Sequence, residues 1–407
     1  LSKRLCLAIA LAWAPVCAQA APLVMDDAVL LMRHGVRPPT HEPALDPAIA
    51  PDAWPAWDVA PGDLTAHGAQ AVKLLAAFDR QYFAALAPAG GCPSVDIYAD
   101  VDERTVATGQ AYAAGFAPGC NINVSHAASA KDPLFSGLDE AASFDTKAAK
   151  AAMLQAAGGN LSAPVSAHAV LFQKMQNALA PGGSAFLALP ANLAAKSPGL
   201  VPKLSGPIAE GSSAAEDFLL EYLNGKPMAD VAWGRAGKAD ITALLALHPL
   251  AYMITARPLV IARAASSALA ERILILLTNP PAKVNILVGH DTNIAELGGL
   301  LNLHWSLGGY PADDPPPGGA LIFIHAHDPA SGAAYIMAFY RVQTMDEIRN
   351  LTPLNAQTPP AIEPLPIPGC GNSVAPTACT MAAFSKLVAA RIKSANKPRV
   401  SYSGSNH

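Results

Sequence analysis

Residues 29–40 read VLLMRHGVRPPT, an apolar run that ends in two arginines and a histidine within five residues and leaves through a proline pair. A guanidinium keeps its charge at any working pH, and its fork matches phosphate or carboxylate oxygens two at a time. An imidazole among such groups is biased toward its neutral, nucleophilic form, because neighbouring cations oppose its protonation. Arg33, His34 and Arg37 thus have the makings of an anion site with a nucleophile inside it. Arg104, in SVDIYADVDERTVATG, supplies a third permanent cation. His290 and Asp291, in VNILVGHDTN, offer one more donor to an oxyanion and a proton for a leaving group. Phosphoryl transfer asks mostly for positioning and charge neutralisation, so arginines can stand where other enzymes use a metal.

Each cluster follows an apolar run of strand character, at 28–32, 95–99 and 284–288. Continuous runs of this length, rich in Val and Ile, suit strands covered on both faces. In open α/β sheets ligands bind outside the carboxyl ends of the strands, and all three clusters fall at that end. Asp102 and Glu103 sit where a helix would start. Between about 125 and 245 alanine-rich helical stretches such as DTKAAKAAMLQAAGG and AHAVLFQKMQNALA alternate with Gly/Pro/Ser loops, and no strong strand run appears. Residues 318–327 and 333–343 read as a closing strand pair. The expected class is α/β, built from residues 21–124 and 246–407, with 125–245 as a mostly helical insertion.

The 407 residues are 52% hydrophobic, enough for a sizeable core and more than one domain. A formal net charge of −4 with 14% charged residues argues against non-specific nucleic-acid binding, which wants a basic surface. The first twenty residues, LSKRLCLAIALAWAPVCAQA, have the Lys3/Arg4 start, apolar stretch and A-x-A end of a secretory signal, too short for a membrane span. A periplasmic or secreted monomer without membrane attachment after cleavage is expected. Loss of Cys6 and Cys17 with the signal leaves Cys92, Cys120, Cys370 and Cys379, an even set in an oxidising compartment and so two disulfides. Three pairings are open, of which Cys92–Cys120 with Cys370–Cys379 is the local one. No C-x-x-C spacing suggests zinc. His325 and His327 would put two imidazoles on one strand face, but with no third ligand in view neither metal nor cofactor is expected.

RHGVRPP at 33–39 taken with GHDTN at 289–293 resembles the histidine acid phosphatases, the branch of the histidine phosphatase superfamily that includes bacterial phytases and glucose-1-phosphatases. The stretch 98–109, YADVDERTVATG, is similar to that family's third conserved block. EDFLL at 216–220, WGR at 233–235, PGG at 317–319 and the Cys370/Cys379 spacing resemble the periplasmic phytase group. The resemblance implies His34 as a nucleophile that forms a phosphohistidine, Arg33, Arg37, Arg104 and His290 as a phosphate clamp, and Asp291 as proton donor. It also implies a mixed central sheet flanked by helices, with the helical insertion roofing the active-site cleft. Thr40, His41 and Glu216 fall at substrate-side positions. Taken alone, Glu216 reads as readily as a solvated helix residue.

The chain also departs from the pattern. His41 stands where phytase relatives commonly carry a lysine, and Ala66-His67 follows Leu64-Thr65 where they usually have proline. Gly35 fits the phytase-like subgroup, since sugar phosphatases tend to carry asparagine there. The expected activity is hydrolysis of phosphate monoesters at acid pH, phytase-like. A glucose-1-phosphatase or a broad acid phosphatase is the alternative, and from another class a phosphate-ester-binding protein without turnover. A pure binder has no use for His34 or Asp291. Plainer readings stand beside these roles: a salt bridge within DER for Arg104, helix capping for Asp291, and packing for His248, Trp54 and Trp57.

Overall fold

The computed structural model describes residues 23–87, 90–138, 144–197, 199–307, 309–370 and 377–392. The signal-like stretch 1–20 lies outside them. Ten strands are present among the described residues: β1 Val24–Arg33, β2 Val95–Ala99, β3 Val124–Ser125, β4 Asn192–Ala194, β5 Lys203–Ser205, β6 Val284–Gly289, β7 Ala320–His327, β8 Ala334–Val342, β9 Ala361–Leu365 and β10 Ala378–Thr380. Eight of them form one sheet in the order β10-β8-β7-β1-β6-β2-β3, with β9 also paired to β8. Strands β1, β6, β2 and β3 run parallel, and β7 to β10 pair antiparallel beyond β1, so the sheet is mixed.

Alternation along β1 explains why its apolar run is continuous. Val29 and Leu31 enter one core, while Ala28, Leu30 and Met32 enter the other. Helices α1 (Ala66–Tyr82) and α2 (Glu103–Phe116) cover the second face through Val72, Leu75, Tyr112 and Phe116. The first face belongs to a core that continues without a break into the helical part of the chain.

That part holds α3 (Thr146–Ala156), α4 (Ser162–Ala167), α5 (Ala169–Leu179), α6 (Pro207–Leu223) and α7 (Lys238–Leu244). Asp145 caps α3 by accepting from the Ala148 N–H at 2.9 Å. The chain then returns through α8 (Leu247–Thr255) and α9 (Leu259–Thr278) to β6, and continues with α10 (Asp291–Leu301), α11 (Met345–Arg349) and α12 (Met381–Ile392). The stretch read as free of strong strands contains the short pair β4–β5. Three residues per strand, with only Leu193 and Leu204 buried, give a period-2 signal too brief to recognise. No described helix is long and apolar enough to cross a membrane. Both local cysteine pairs are bonded, Cys92–Cys120 tying the approach to β2 to the end of α2, and Cys370–Cys379 tying the tail to β10.

Register sets the site. Arg33 lies opposite Gly289 and Ala99 opposite Val288, so three parallel strands end at one level. The next residues of the chain, His34, His290 and Asp100, emerge side by side.

Candidate active site

His34 is buried where β1 breaks, its main chain held by His34 N–H to the Gly289 carbonyl (3.0 Å) and Gly318 N–H to its own carbonyl (3.1 Å). The ring Nδ1 lies 2.8 Å from the Gly35 carbonyl, which can only accept. The proton therefore sits on Nδ1, and the Nε2 lone pair is free to attack. Burial, then the charges of Arg33 and Arg37, keep its pKa well below that of an ordinary histidine. Gly35 is closely packed: a Cβ there would lie 2.9 Å from Leu64 Cδ1 and 3.0 Å from Val72 Cγ2, so those side chains would have to give way. Thr108 Oγ1 on α2 accepts the Gly35 N–H at 3.0 Å. Thr65 caps α1 by accepting from Gly68 N–H at 2.9 Å, so the helix starts at Ala66 without the relatives' proline.

Arg33, Arg37 and Arg104 surround this ring, each near enough to depress its protonation. Arg33 donates to the Pro315 carbonyl (2.8 Å) and pairs with Glu216 and with Asp291 Oδ2 (2.8 Å). Arg104 does make the local salt bridge with Asp102, and it also reaches His290 Nδ1 at 3.4 Å. That bridge occupies the carboxylate of Asp102, the N-cap residue of α2, whose side chain makes no capping bond. Each of the three guanidiniums keeps a buried Nε–H with no acceptor in the protein. A buried donor left unpaired costs about 1–3 kcal/mol, so an oxyanion lodged among them would be stabilised.

His290 and Asp291 stand at the head of α10. The N-cap is His290, whose backbone N–H goes to Asn293 Oδ1 at 2.9 Å, so capping does not fall to Asp291, the first helical residue. The His290 Nε2 donates to Asp100 Oδ2 at 2.7 Å while Nδ1 faces Arg104. In that state the ring accepts at Nδ1, and it donates to a phosphate only when doubly protonated. On Asp291, burial acts to raise the pKa, but Arg33, His248, His34 and Arg37 together hold it well below the usual carboxylate range. Asp100, Asp102 and His290 bring ligand-type atoms within 4.8 Å of one another. The guanidinium of Arg104 against two of them opposes a cation there.

Glu216 is a buried residue of α6 and not a solvated one. Its carboxylate meets Arg33 and lies 3.9 Å from His248 Nε2. Burial works to raise its pKa, yet Arg33 and His248 bring it below the ordinary glutamate value. His248 of α8 donates Nδ1–H to Asp314 Oδ1 at 2.7 Å. Although burial lowers its pKa, Glu216 and Asp314 outweigh that and raise it above the ordinary histidine value, favouring the imidazolium form. Sequence reading placed His248 among packing residues and did not name Asp314, Asp100, Tyr252 or Thr108. A polar residue directly after β2 was a usable signal for Asp100, whereas His248 in an apolar helix carried none.

Thr40 and His41 line a cleft of about 300 Å³ together with Arg37, Ser212, Ser213, Glu216, Asp217, His248, Tyr252 and Asp291. One wall comes from the loop after β1, and the other from α6 and α8. His325 and His327 lie elsewhere, paired with Asp27 (2.9 Å) and Asp26 (2.8 Å). Trp54 packs against Phe218 and Trp233.

Comparison with known proteins gives concordant results. The profile of the Histidine phosphatase superfamily (branch 2) matches residues 24–179. Phytase AppA of Escherichia coli (strain K12) is 34% identical over 91% of this chain and 93% of its own length. Glucose-1-phosphatase of Salmonella typhimurium is 29% identical over 85% of this chain and 87% of its own. The solved Hafnia alvei phytase in complex with tartrate superposes with a TM-score of 0.86 at 32% identity, covering 92% of this chain and 99% of that one.

Proposed function

The chain belongs to branch 2 of the histidine phosphatase superfamily and is a phosphoric monoester hydrolase, and from that premise we propose that it is an exported, phytase-like acid phosphatase working through a phosphohistidine. The observation that carries this reading is the free Nε2 of His34 inside three guanidiniums whose buried Nε–H groups lack acceptors. Arg33, Arg37 and Arg104 take the phosphate oxygens. Nε2 of His34 attacks phosphorus, the ester P–O bond breaks, and the leaving oxygen takes a proton from Asp291. Water then attacks the phosphohistidine, returns a proton to Asp291, and frees phosphate and the imidazole.

Asp291 is ionised in the ligand-free cleft, so it acquires its proton as substrate binds. A phosphate dianion neutralises the guanidinium charge that held the carboxylate ionised. A monoester below about pH 6 brings a proton of its own. This coupling supports an acid optimum. His290 completes the clamp wall, its ring oriented by Asp100 at 2.7 Å and Asp102 at 3.5 Å.

Residues 125–245 act as the roof over a base formed by 21–124 and 246–407, and Glu216 marks where the two meet. Phytate, myo-inositol hexakisphosphate, is the proposed substrate. Similarity to two phytases and the glycine at position 35, as in the phytase-like subgroup, support it. One observation favours the second reading, a glucose-1-phosphatase or broad-range enzyme: the described residues lining the cleft include Arg37, His41 and His248 but no lysine. The disulfides and the signal-like start support export. The test is phosphate release near pH 5 with chelator present, from phytate, glucose 1-phosphate and an aryl phosphate side by side. Release lost in His34→Ala and indifferent to chelator is expected, and the ranking of esters selects the subgroup. Hydrolysis that persists in His34→Ala would rule out the phosphohistidine route.

A further inference from the structure

The WGR segment, 233–235, takes no part in this chemistry, yet it sits in a conformation that needs holding. Ala232 (φ 47°), Trp233 (φ 55°) and Gly234 (φ 72°) are consecutive left-handed residues, and two of them are not glycine. Such a turn persists only where its surroundings over-determine it. Glu221 of α6 lies beneath it, accepting the Ala232 N–H at 2.8 Å. Its other oxygen is buried without a partner, and burial pushes its pKa up to about 8, so at acid pH it is a neutral carboxylic acid.

What the turn presents is the Trp233 ring, and what the ring meets is the loop after the catalytic strand. Trp233 Nε1–H donates to the Ala53 carbonyl at 2.8 Å, and its ring lies 4.6 Å from that of Trp54. On one side Arg235 pairs with Asp52, and on the other Lys226 donates to the Ala56 carbonyl and lies 4.2 Å over the Trp57 ring. Residues 226–235 thus grip 52, 53, 54, 56 and 57 in succession. The same loop begins with Thr40 and His41 in the substrate cleft. Between its two arms lies a cavity of about 420 Å³ reached by Pro39, His41, Trp54 and Trp57. The arm bearing Thr40 and His41 is therefore not backed by close packing, and its shape depends on where the far arm is fastened.

We propose that Trp233 is a positioning residue for substrate: seated on Glu221 and flanked by Lys226 and Arg235, it fastens residues 52–57 to the roof and so sets where Thr40 and His41 meet the leaving group. The proposal rests on the acid-phosphatase reading of the cleft, and it separates the leaving-group wall from the arginine clamp.

The experiment is steady-state kinetics of Trp233→Leu on phytate, with inorganic phosphate as inhibitor. KM should rise five- to twentyfold, while kcat and the inhibition constant of phosphate, which needs only the clamp, stay within twofold. Lys226→Gln, a partly exposed change that leaves the core intact, should raise KM two- to threefold. Glu221→Gln keeps an acceptor for Ala232 and should behave as wild type, whereas Glu221→Ala should follow Trp233→Leu. An unchanged KM, or a phosphate inhibition constant that rises in step with KM, overturns the proposal. Should the unaltered protein release phosphate from no ester, the acid-phosphatase reading fails and chymotrypsin tests the latch alone. Cleavage after Trp57 should then be at least tenfold faster in Trp233→Leu, and an equal rate overturns the latch.

Discussion

The guanidinium of Arg33, at the end of β1, is paired in a buried site with the carboxylate of Glu216 on α6, 183 residues further along the chain. Asp291 adds a second carboxylate to the same guanidinium at 2.8 Å. Burial alone would lower the Arg33 pKa, but these two anions raise it, so the cation is secured before any phosphate arrives. Replacing Arg33 by alanine strands two buried carboxylates, and breaking a buried pair from one side typically costs about 3–5 kcal/mol. Arg33→Ala should therefore lower the unfolding free energy obtained from urea titration by about 3–5 kcal/mol and abolish turnover. Glu216→Gln should cost less, because Asp291 still engages Arg33. Equal midpoints for Arg33→Ala and wild type would mean that the pair contributes nothing to stability.

Removing the nucleophile tests the chemistry more directly. His34→Ala should lose about 10⁴-fold or more in kcat, the scale seen when a covalent catalyst loses its attacking group. Rapid quench into base with a phosphorus-labelled ester should trap labelled wild-type protein and none of the variant. Labelled His34→Ala would place the covalent step on another residue.

The reach of sequence reasoning differed from residue to residue, for physical reasons. Arg33, His34, His290 and Asp291 were legible because a parallel strand buried on both faces must end in a polar segment, and the ends of neighbouring strands share a level. The two disulfides were legible only as the local one of three pairings. Glu216 came to the substrate side only through the resemblance, because α6 is buried almost all round and its pattern does not say which side faces a cleft. His248 and Asp314 are far apart in sequence and meet only through tertiary packing of α8 on the loop before β7. The grip of Trp233 on Ala53 is equally non-local, since it depends on a left-handed turn that no residue type there demands.

His34 also predicts the acid limb of activity. A free histidine is about 97% protonated at pH 5 and could not attack. Burial first, and Arg33 and Arg37 after it, hold the folded-state pKa well below the ordinary histidine value, which keeps the ring neutral further into acid than a free imidazole. The log of kcat/KM should not fall by one per pH unit between 6 and 5. Arg37→Gln removes one repelling charge and should move the acid limb upward by part of a unit. A limb centred near 6.5 in the wild type would contradict the buried, cation-ringed geometry.

Asp291 is expected to matter in proportion to how poor the leaving group is. An inositol or sugar alcohol must leave with a proton, whereas a nitrophenolate does not. Asp291→Asn should lower kcat by about 10²- to 10³-fold on phytate or glucose 1-phosphate, and by tenfold or less on 4-nitrophenyl phosphate. Equal losses on both esters would assign Asp291 to charge balance against Arg33 and leave the proton to another group.

Three buried carboxyls with strongly raised pKa values contribute to how stability changes toward neutral pH. Burial raises Asp217 to about 7 and both Glu221 and Glu296 to about 8, against ordinary values near 4. Between those limits each group is protonated in the folded chain and ionised in the unfolded one. The folded state therefore binds more protons, and stability falls as pH rises, by up to about 1.4 kcal/mol per pH unit for each group. The effect is fully developed once pH passes the folded values. Depressed groups work in the opposite sense: Asp291 contributes stability above about pH 4, and this contribution is lost as pH falls further. The unfolding free energy from urea titration should accordingly be highest near pH 4–5 and decline by several kcal/mol by pH 8. Glu296→Gln keeps a neutral group in the same space, so it should flatten part of that decline while leaving the unfolding free energy at pH 5 within about 1 kcal/mol of wild type. A wild-type profile that stays level from pH 5 to 8 would show that these carboxyls are not buried as neutral acids.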